Sequence, residues 1–347
     1  MQKVRVEAQN GSYDILIGKN LLPPQIAQDY NSYAVITDQN VNEQYGHIFP
    51  GKGIEARGRG VCIIDPGEYS KTLKTLETVY EEMLLMGIDR KGAVFAFGGG
   101  VVGDLAGFAA ATYMRGIDYV QVPTTLLAMV DSSVGGKVAV NIASGKNMAG
   151  AFYQPKQVII DTGTLATLDK RQYAAGMAEV IKYAFIADGV LYKTLQDGHF
   201  KIEDIIERCV RIKAGYVQKD PFDKGERMQL NYGHTIGHAI EKEAGYGKLL
   251  HGEAVAIGMV LAARLGEALG ISPNGLEAET VNILQKYGLP SSAPKEVLDA
   301  ALLKLGHDKK AENGEVNFVL IDKIGHAIVQ KLSPDTIRNT LTAGGSL

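Results

Sequence analysis

Three histidines in the second half of the chain have a spacing that suits metal binding. His234, His238 and His251 lie close together, and the first two are four positions apart, about one helical turn. A single buried histidine is usually an ordinary core residue. Two at this spacing with a third nearby indicate a site for a divalent metal such as zinc.

A carboxylate could complete this ligand set. Glu179 lies in an otherwise apolar helical segment, where a charge is costly unless it is paired or bound to a metal. Two histidines and one glutamate would leave coordination positions open, as a catalytic zinc site requires. The alternative is a simple salt bridge, because Lys182 follows three positions later on the same helix face.

Two more polar residues precede the histidines at helical spacing. Arg227, Asn231, His234 and His238 are separated by four, three and four positions, which predicts a continuous helix over 226–243 with all four on one face. A polar face is usually solvated, but solvated faces favour Glu and Lys over His and Asn. The pattern therefore favours a functional face.

A glycine-rich turn is the second chemical feature. The apolar run 93–97 leads into Gly98-Gly99-Gly100-Val101-Val102-Gly103-Asp104, and a helix of small residues follows. Backbone N–H groups at such a helix start suit a phosphate or pyrophosphate. The alternative is a tight turn for close helix–strand packing, since the spacing is not G-x-G-x-x-G.

Other polar residues also follow predicted strands. Asp38 and Asn40 come after one apolar run, and Thr124 and Thr125 come after another. Carboxyl ends of parallel strands are where dinucleotides bind in open α/β sheets. Each residue is an ordinary turn residue by itself, but together they favour one shared ligand site.

A basic, amide-rich segment is the third feature. It runs from Asp131 to Asn147 as DSSVGGKVAVNIASGKN and contains Lys137 and Lys146. Glycines allow close backbone approach, and lysines supply point charges for anions. The alternative, a flexible surface loop, fits less well because apolar and small residues flank the lysines. Lys213, on a later helix, could add a further positive charge.

Alternating strands and helices in the first half must position these residues. A hairpin is predicted at 3–7 and 13–17 around Asn10-Gly11, and a helix at 71–86. Compact apolar runs predict buried parallel strands at 33–37, 61–64, 93–97, 119–122 and 157–161. The fold class is therefore α/β, with a parallel-sheet dinucleotide-binding domain at 1–170.

The second half is mostly helical. Helical patterns occupy 176–186, 202–217, 226–243, 252–269, 276–287 and 295–304, with one late strand at 316–321. These predict a mostly α-helical metal- and substrate-binding domain at 171–347, with a frayed tail from 343.

Composition narrows the class of partner. The chain has 347 residues, 46% of them hydrophobic, and a formal net charge of −3, which argues against nucleic acid or an anionic membrane. Its apolar runs are shorter than the roughly 18 residues of a membrane helix. Two widely separated cysteines, Cys62 and Cys209, suit reduced thiols in the cytoplasm. The expected partner is a small molecule.

Five segments together resemble the 3-dehydroquinate synthase family. They are GGGVVGDLAGFAAATYMRG (98–116), PTTLLAMVDSSVGGKVAVNIASGKN (123–147), GMAEVIKY (176–183), NYGHTIGHAIE (231–241) and HGE (251–253). The resemblance covers residues 38 to about 310 and implies a dehydroquinate synthase-like fold.

The resemblance also implies roles for individual residues. The metal, Zn²⁺ or Co²⁺, would be held by Glu179, His234 and His251, with His238 as a catalytic residue instead of a ligand. The NAD contacts would be Asp38, Asn40, Glu68, Lys71, Gly99, Gly100, Val101, Val102, Gly103, Asp104, Thr124, Thr125, Lys137, Lys146, Thr164, Leu165, Ala166 and Thr167.

The remaining implied residues concern the substrate. They are Arg115, Asp131, Lys137, Asn147, Lys182, Lys213, Arg227, Asn231 and one lysine of Lys309-Lys310. Arg115 would reach the phosphate across the interface of a homodimer.

The implied reaction converts 3-deoxy-D-arabino-heptulosonate 7-phosphate to 3-dehydroquinate by oxidation, phosphate elimination, reduction, ring opening and aldol closure. Three alternatives remain at this stage. A related cyclase such as 2-deoxy-scyllo-inosose synthase would share metal, cofactor and fold. A metal-dependent alcohol or glycerol dehydrogenase would release NADH. A non-catalytic NAD-binding scaffold would not need an intact ligand set.

Overall fold

The computed structural model describes residues 1–8, 11–49, 58–223, 225–245, 247–305 and 314–343. They form two compact units: Met1–Asp169 with Ile202–Pro221, and Lys170–Lys201 with Phe222–Leu347. Residue Asn10 of the predicted turn, Lys309, Lys310 and the tail 344–347 lie outside the described residues.

The helices, in chain order, are as follows. They are α1 (Gln39–Tyr45), α2 (Leu73–Leu85), α3 (Gly100–Thr112), α4 (Lys170–Ala187), α5 (Gly189–Asp197), α6 (Ile202–Lys219), α7 (His234–Ala244), α8 (His251–Ala268), α9 (Leu276–Lys286), α10 (Lys295–Lys304) and α11 (Pro334–Ala343). Within the described ranges, none of them combines the length and the apolar character that crossing a bilayer requires.

The strands, in chain order, are as follows. They are β1 (Gln2–Val6), β2 (Tyr13–Gly18), β3 (Tyr33–Asp38), β4 (Arg59–Ile64), β5 (Ala93–Gly98), β6 (Asp118–Pro123), β7 (Lys137–Ile142), β8 (Gly145–Phe152), β9 (Gln157–Asp161), β10 (Val316–Lys323) and β11 (His326–Leu332).

A seven-stranded sheet is the framework of the first unit. Its order is β1-β2-β9-β6-β5-β3-β4, and β1–β2 is its one antiparallel pair. The parallel sheet expected from the apolar runs is confirmed. Strand β5 is buried along its whole length, as expected of a central parallel strand that is covered on both faces.

Each face of this sheet has its own apolar cluster. One joins the sheet to α2 and α3 through residues such as Leu76, Met83 and Leu105. The other contains the aromatic rings of Phe49, Phe95 and Phe97 and belongs to the opposite face of the sheet. Because the two clusters hold the sheet on both sides, the carboxyl ends of β3, β5 and β6 are fixed relative to one another.

Helix α6 belongs to the first unit, although the sequence analysis places it in the second domain. Thr162 Oγ1 donates to Glu203 at 2.7 Å, and Gln2 Nε2 donates to Asp204 at 2.8 Å. Lys213 forms an ion pair with Asp131 at 2.9 Å. Helical periodicity marks which face of α6 is apolar, but it carries no information about which sheet or bundle that face packs against.

The segment 131–147 is not simply a loop. β7 and β8 form an antiparallel hairpin that joins Lys137 to Phe152 and Val140 to Ala149. The alternating pattern of a strand does not reveal this hairpin, because glycine and lysine interrupt it. The hairpin places the predicted anion-binding residues on ordered backbone, with Lys137 at the start of β7 and Asn147 within β8.

The predicted helix over 226–243 is wrong. Residues Glu226–Asn231 form a short 3₁₀ helix, and α7 begins only at His234. The break occurs at Gly233, whose φ of +77° lies in the left-handed region that favours glycine. Arg227 and Asn231 therefore do not share one helical face with the histidines. Three further elements were not predicted from the sequence: α5, α11 and β11, which pairs with β10 in an antiparallel hairpin.

Candidate metal centre and nucleotide site

Four predicted residues come together within the second unit. Glu179 lies on α4, with a side chain only 1% exposed. His234 and His251 are the first residues of α7 and α8. Their Nε2 atoms lie 3.4 Å and 3.7 Å from Glu179 Oε1. One ligand nitrogen of His238 is within 4.8 Å of those of the other two histidines.

The second ring nitrogen of each candidate ligand, His234 and His251, has its own acceptor. His234 Nδ1 lies 3.1 Å from the carbonyl oxygen of Tyr232, and His251 Nδ1 lies 3.4 Å from Glu241 Oε2. A carbonyl or a carboxylate can only accept, so Nδ1 carries the proton in each neutral ring. Each Nε2 then presents a lone pair towards Glu179, as metal-binding histidines do.

The carboxylate of Glu179 shows whether a cation fits. Its Oε2 pairs with the ammonium of Lys182, which is 2% exposed. Among the described residues, its buried Oε1 has no hydrogen-bond donor. When both imidazoles are neutral, this buried acceptor faces two nitrogen lone pairs, and the arrangement is costly without a cation because all three atoms are electron-rich. The donor set, two nitrogens and one carboxylate oxygen, suits Zn²⁺ or Co²⁺.

The electrostatics favour neutral His234. Burial, then the charge of Lys182, lowers the pKa of His234 well below its usual value, so the ring keeps its lone pair at neutral pH. For His251, burial lowers the pKa, but the Glu241 hydrogen bond and the Glu179 charge outweigh it and raise the pKa. A metal would therefore have to displace a proton from His251 more often than from His234.

His238 is exposed, unlike the two ligand candidates. Its ring centroid lies 5.3 Å from that of His234 and 5.6 Å from that of His251. Distances alone would also allow the three histidines to bind a metal together. The buried Oε1 of Glu179 favours the set Glu179, His234 and His251, and leaves His238 able to meet a substrate.

Glycines bring the three ligand-bearing helices together. A Cβ on Gly252 of α8 would lie 2.0 Å from the carbonyl oxygen of Ala175 on α4. A Cβ on Gly258 would lie 1.9 Å from the carbonyl oxygen of Gly233, just before α7. Because only a hydrogen atom fits at these positions, the helix backbones approach closely enough for the side chains of Glu179, His234 and His251 to meet. The role of these two glycines in helix packing was not predicted from the sequence.

An arginine–glutamate pair that the sequence analysis also missed links α4 to α8. Arg171 donates two hydrogen bonds to Glu253, at 2.6 Å and 2.7 Å, and a third to the carbonyl oxygen of Lys248 at 2.8 Å. Glu253 in turn accepts from the backbone N–H of Leu250 at 2.8 Å. Glu253 therefore anchors the first turn of α8, where His251 lies, to the start of α4.

Replacing Arg171 with alanine should loosen this turn. We expect a loss of about 1 kcal/mol in unfolding free energy, since the arginine is half exposed and solvent screens the pair. We also expect weaker metal binding, because His251 lies in the released turn. Urea denaturation and Co²⁺ titration would measure both effects. A control is Arg211→Ala, which removes a surface ion pair with Glu207 on α6; unchanged Co²⁺ affinity in both variants would contradict the expectation.

Two predicted substrate residues precede α7. Arg227 is 3% exposed, and Asn231 donates to the carbonyl oxygen of Met228 at 3.1 Å. Lys182 and Arg227 are thus two buried cations of the second unit. Burial of a cation is costly, which makes such groups candidates for binding an anion.

The glycine turn of the first unit has the predicted strand–turn–helix form. β5 ends at Gly98, and α3 starts at Gly100 with Gly99 as its N-cap residue. Glycine at the N-cap provides no side-chain cap, which leaves the first N–H groups to be satisfied by other acceptors. A Cβ on Gly99 would lie 3.1 Å from the methyl carbon of Thr125, another predicted contact.

Three of the predicted nucleotide-site residues form one hydrogen-bonded network with the predicted substrate residue Asn147 and with Asn141. Lys71, 4% exposed, donates to Asp104 at 2.5 Å and to Asn147 at 2.6 Å. Asn141 donates to Glu68 at 2.8 Å and accepts from the backbone N–H of Asn147 at 2.8 Å. Burial raises the pKa of Asp104, although Lys71 stabilises its charged form. The network ties the turn before α2 to α3 and to the β7–β8 hairpin.

Other predicted residues of the first unit are at strand ends. Asp38 caps α1 by accepting from the N–H of Val41 at 2.9 Å, and Asn40 lies on that helix. Thr124 follows β6, and its N–H donates to the carbonyl of Gly98 at 2.9 Å. The 3₁₀ helix that contains Thr164, Leu165, Ala166 and Thr167 follows β9.

The substrate residues predicted in the first unit are placed as follows. Lys213 Nζ donates a hydrogen bond to the carbonyl oxygen of Asp131 at 2.6 Å and forms an ion pair with the carboxylate of the same residue. Arg115 is exposed and has a φ of +73°, an uncommon backbone conformation for a residue with a side chain. Lys137 is exposed, and Lys146 is partly exposed on β8. These residue assignments to NAD and substrate stay predictions.

Comparison with known proteins places these features in one family. Residues 61–175 match the 3-dehydroquinate synthase N-terminal family, and residues 176–311 match its C-terminal family. The 3-dehydroquinate synthase of Clostridium kluyveri is 43% identical over 344 residues, 96% of each chain. That of Pelobacter propionicus is 44% identical over 351 residues, 97% of this chain and 98% of the relative.

Solved structures share the fold. A 2-deoxy-scyllo-inosose synthase, solved with carbaglucose-6-phosphate, NAD⁺ and Co²⁺, has a TM-score of 0.84 and 27% identity over 99% of both chains. The 2-epi-5-epi-valiolone synthase of Streptomyces hygroscopicus, solved with NAD⁺ and Zn²⁺, has a TM-score of 0.84 and 28% identity over 98% of this chain and 99% of that one. The family matches span the glycine turn and the metal centre alike, and the chain belongs to the 3-dehydroquinate synthase family.

Proposed function

We propose that the chain converts 3-deoxy-D-arabino-heptulosonate 7-phosphate to 3-dehydroquinate and phosphate, with NAD and one divalent metal. The observation that carries the proposal is the buried Glu179 Oε1, which faces His234 and His251 beside the buried cation Lys182. The relatives named 3-dehydroquinate synthase at 43–44% identity support the same activity. In chemical class this is a lyase that eliminates phosphate.

The two cofactors supply chemistry that no side chain has. A divalent metal held by Glu179, His234 and His251 would act as a Lewis acid towards substrate oxygens and lower the pKa of a bound hydroxyl. NAD, held at the glycine turn and the Lys71 network, would accept and return the hydride at C5, so that the reaction shows no net redox change.

The chain's own residues bind and orient the substrate. Lys182 and Arg227 are buried cations, and buried cations attract a carboxylate or a phosphate more strongly than solvated ones. Asn231 can donate or accept at a substrate hydroxyl. The family resemblance implies four more substrate residues, Lys137 and Lys213 as cations and Asp131 and Asn147 as hydrogen-bonding groups.

His238 is proposed to transfer protons. It is exposed and lies beside the ligand candidates, and histidine is the side chain type that most readily gives and takes protons near neutral pH. A proton held at one of its ring nitrogens could pass to or from a substrate oxygen when the C5 hydroxyl is oxidised or restored. The proposal includes two further predictions. The chain forms a homodimer in which Arg115 reaches the phosphate of the substrate that is bound by the partner subunit. The protein is located in the cytoplasm.

The alternatives receive less support. The two related cyclases are 27–28% identical to this chain, well below the 43–44% of the 3-dehydroquinate synthases. A probable glycerol dehydrogenase of Sinorhizobium meliloti is 15% identical with a TM-score of 0.64, which shows a shared fold alone. The buried guanidinium of Arg227 also favours a substrate with a carboxylate, which the 2-deoxy-scyllo-inosose synthase substrate lacks.

Phosphate release is the direct test. The protein would be incubated with 3-deoxy-D-arabino-heptulosonate 7-phosphate and NAD, with and without a chelator, while phosphate and NADH are followed. We expect chelator-sensitive phosphate release with no build-up of NADH, since the hydride returns to the substrate. NADH that accumulates with simple alcohols, or no phosphate at all, would instead indicate a dehydrogenase.

A further inference from the structure

The two ligand histidines are held in different ways. His234 is 13% exposed in its side chain, and its Nδ1 is fixed by a backbone carbonyl two residues earlier, that of Tyr232. His251 is 34% exposed, and its Nδ1 faces a side chain, Glu241 Oε2, at 3.4 Å. Packing and backbone therefore restrain His251 less, and its orientation depends on a side chain ten positions away.

Glu241 is suited to this task by its place in the fold. It lies on α7, the helix that begins with His234, and its side chain is 12% exposed. In the neutral ring, a carboxylate that accepts from Nδ1–H selects the tautomer whose lone pair is on Nε2, the nitrogen that lies 3.7 Å from Glu179 Oε1. Its negative charge also makes the imidazole a stronger donor to a metal.

We propose that Glu241 is a positioning residue of the metal centre: it orients the His251 ring so that Nε2 faces the metal. The inference rests on the metal site assigned under the proposed function. It explains why the Glu of the segment NYGHTIGHAIE lies on the same helix as His234: one helix then contributes a ligand and also orients a ligand that belongs to the next helix.

Metal affinity tests this role without reference to turnover. Full-length protein would be stripped with a chelator and titrated with Co²⁺, whose visible absorption reports the geometry of the site. We expect Glu241→Ala to weaken Co²⁺ binding by about 10–100-fold and to change the spectrum of the bound ion. Glu241→Gln should restore most of the affinity and the native spectrum, because the amide oxygen can still accept from Nδ1.

Glu243→Gln is the matched control. It makes the same chemical change on the same helix and removes an ion pair with Lys304, at 2.7 Å, that belongs to no predicted site. We expect its Co²⁺ affinity and spectrum to match those of the native protein. Melting temperatures of the metal-free variants would show that Glu241→Ala is folded.

Several results would overturn the inference. Native affinity and spectrum in a folded Glu241→Ala variant would show that Glu241 does not orient His251. A loss as large as that of Glu179→Gln would show direct ligation in place of positioning. Absence of Co²⁺ binding in the native protein would overturn the metal centre as well. If Co²⁺ binding depends on Glu241 but the protein releases no phosphate in the assay, only the proposed reaction would be refuted.

Discussion

Glu179→Gln is expected to lower the rate of phosphate release by about 10³-fold or more, because Lewis-acid stabilisation by a bound metal is worth several kcal/mol. Glu179 is the one carboxylate in the proposed ligand set, and its Oε1 lies 3.4 Å and 3.7 Å from the two Nε2 atoms. A neutral amide oxygen is a much weaker ligand for a divalent cation. The measurements are phosphate release and Co²⁺ affinity.

Glutamine is the informative substitution at this position. Both substitutions remove the charge that pairs with Lys182 in the interior, but the amide oxygen of glutamine can still accept a hydrogen bond from the ammonium, whereas Glu179→Ala removes that acceptor and also opens a cavity. Loss of activity in that variant could therefore reflect unfolding. Glu207→Gln, on the surface of α6, is a control for the same chemical change. Full metal-dependent activity in Glu179→Gln would refute the ligand assignment.

The second large effect is expected from Gly258→Ala. The added Cβ would lie 1.9 Å from the carbonyl oxygen of Gly233 and 2.9 Å from the backbone nitrogen of Gly237. Both are backbone atoms, so no side-chain rotation relieves the clash, and α7 must move away from α8. We expect the unfolding free energy to fall by about 3 kcal/mol or more. We expect Co²⁺ binding to weaken too, because α7 contains His234 and α8 contains His251.

The control for this prediction is another helical glycine. Gly215 lies inside α6, and a Cβ there would meet no atom within 4 Å. Gly215→Ala should be neutral or more stable by about 0.5–1 kcal/mol, since alanine has the higher helix propensity. Urea denaturation and Co²⁺ titration of both variants provide the comparison. Similar stability in the two variants would show that the α7–α8 approach is not sterically limited.

Much of the first unit could be predicted from local pattern. The apolar runs at 33–37, 93–97 and 119–122 became β3, β5 and β6, because strands buried on both sides must be apolar throughout. The turn at Gly98–Gly100 has its predicted place between strand and helix. The β7–β8 hairpin could not be predicted, since its strands are stabilised by each other and by a bridge between Thr72 and Asn141.

The helix error at 226–243 shows a limit of spacing arguments. Arg227, Asn231, His234 and His238 have helical spacing, yet Gly233 interrupts the helix between the two pairs. Glycine is favoured there by its left-handed conformation and also by α8, because a Cβ would lie 2.8 Å from the carbonyl oxygen of Val255. Local periodicity contains no information about a neighbouring helix, so the break was not predictable from spacing.

The sequence by itself determined which residues have the chemistry of the site: Glu179, the histidines and the glycine turn belong to segments that identify the family without coordinates. It also determined the α/β character of the first half, because periodicity and apolar runs are local properties. Only the tertiary structure decided that Glu179 Oε1 faces two imidazole nitrogens, that Glu241 contacts His251, and that α6 belongs to the first unit. These depend on how helices far apart in sequence pack, and that packing is set by close approaches such as Gly252 against Ala175 and Gly258 against Gly233.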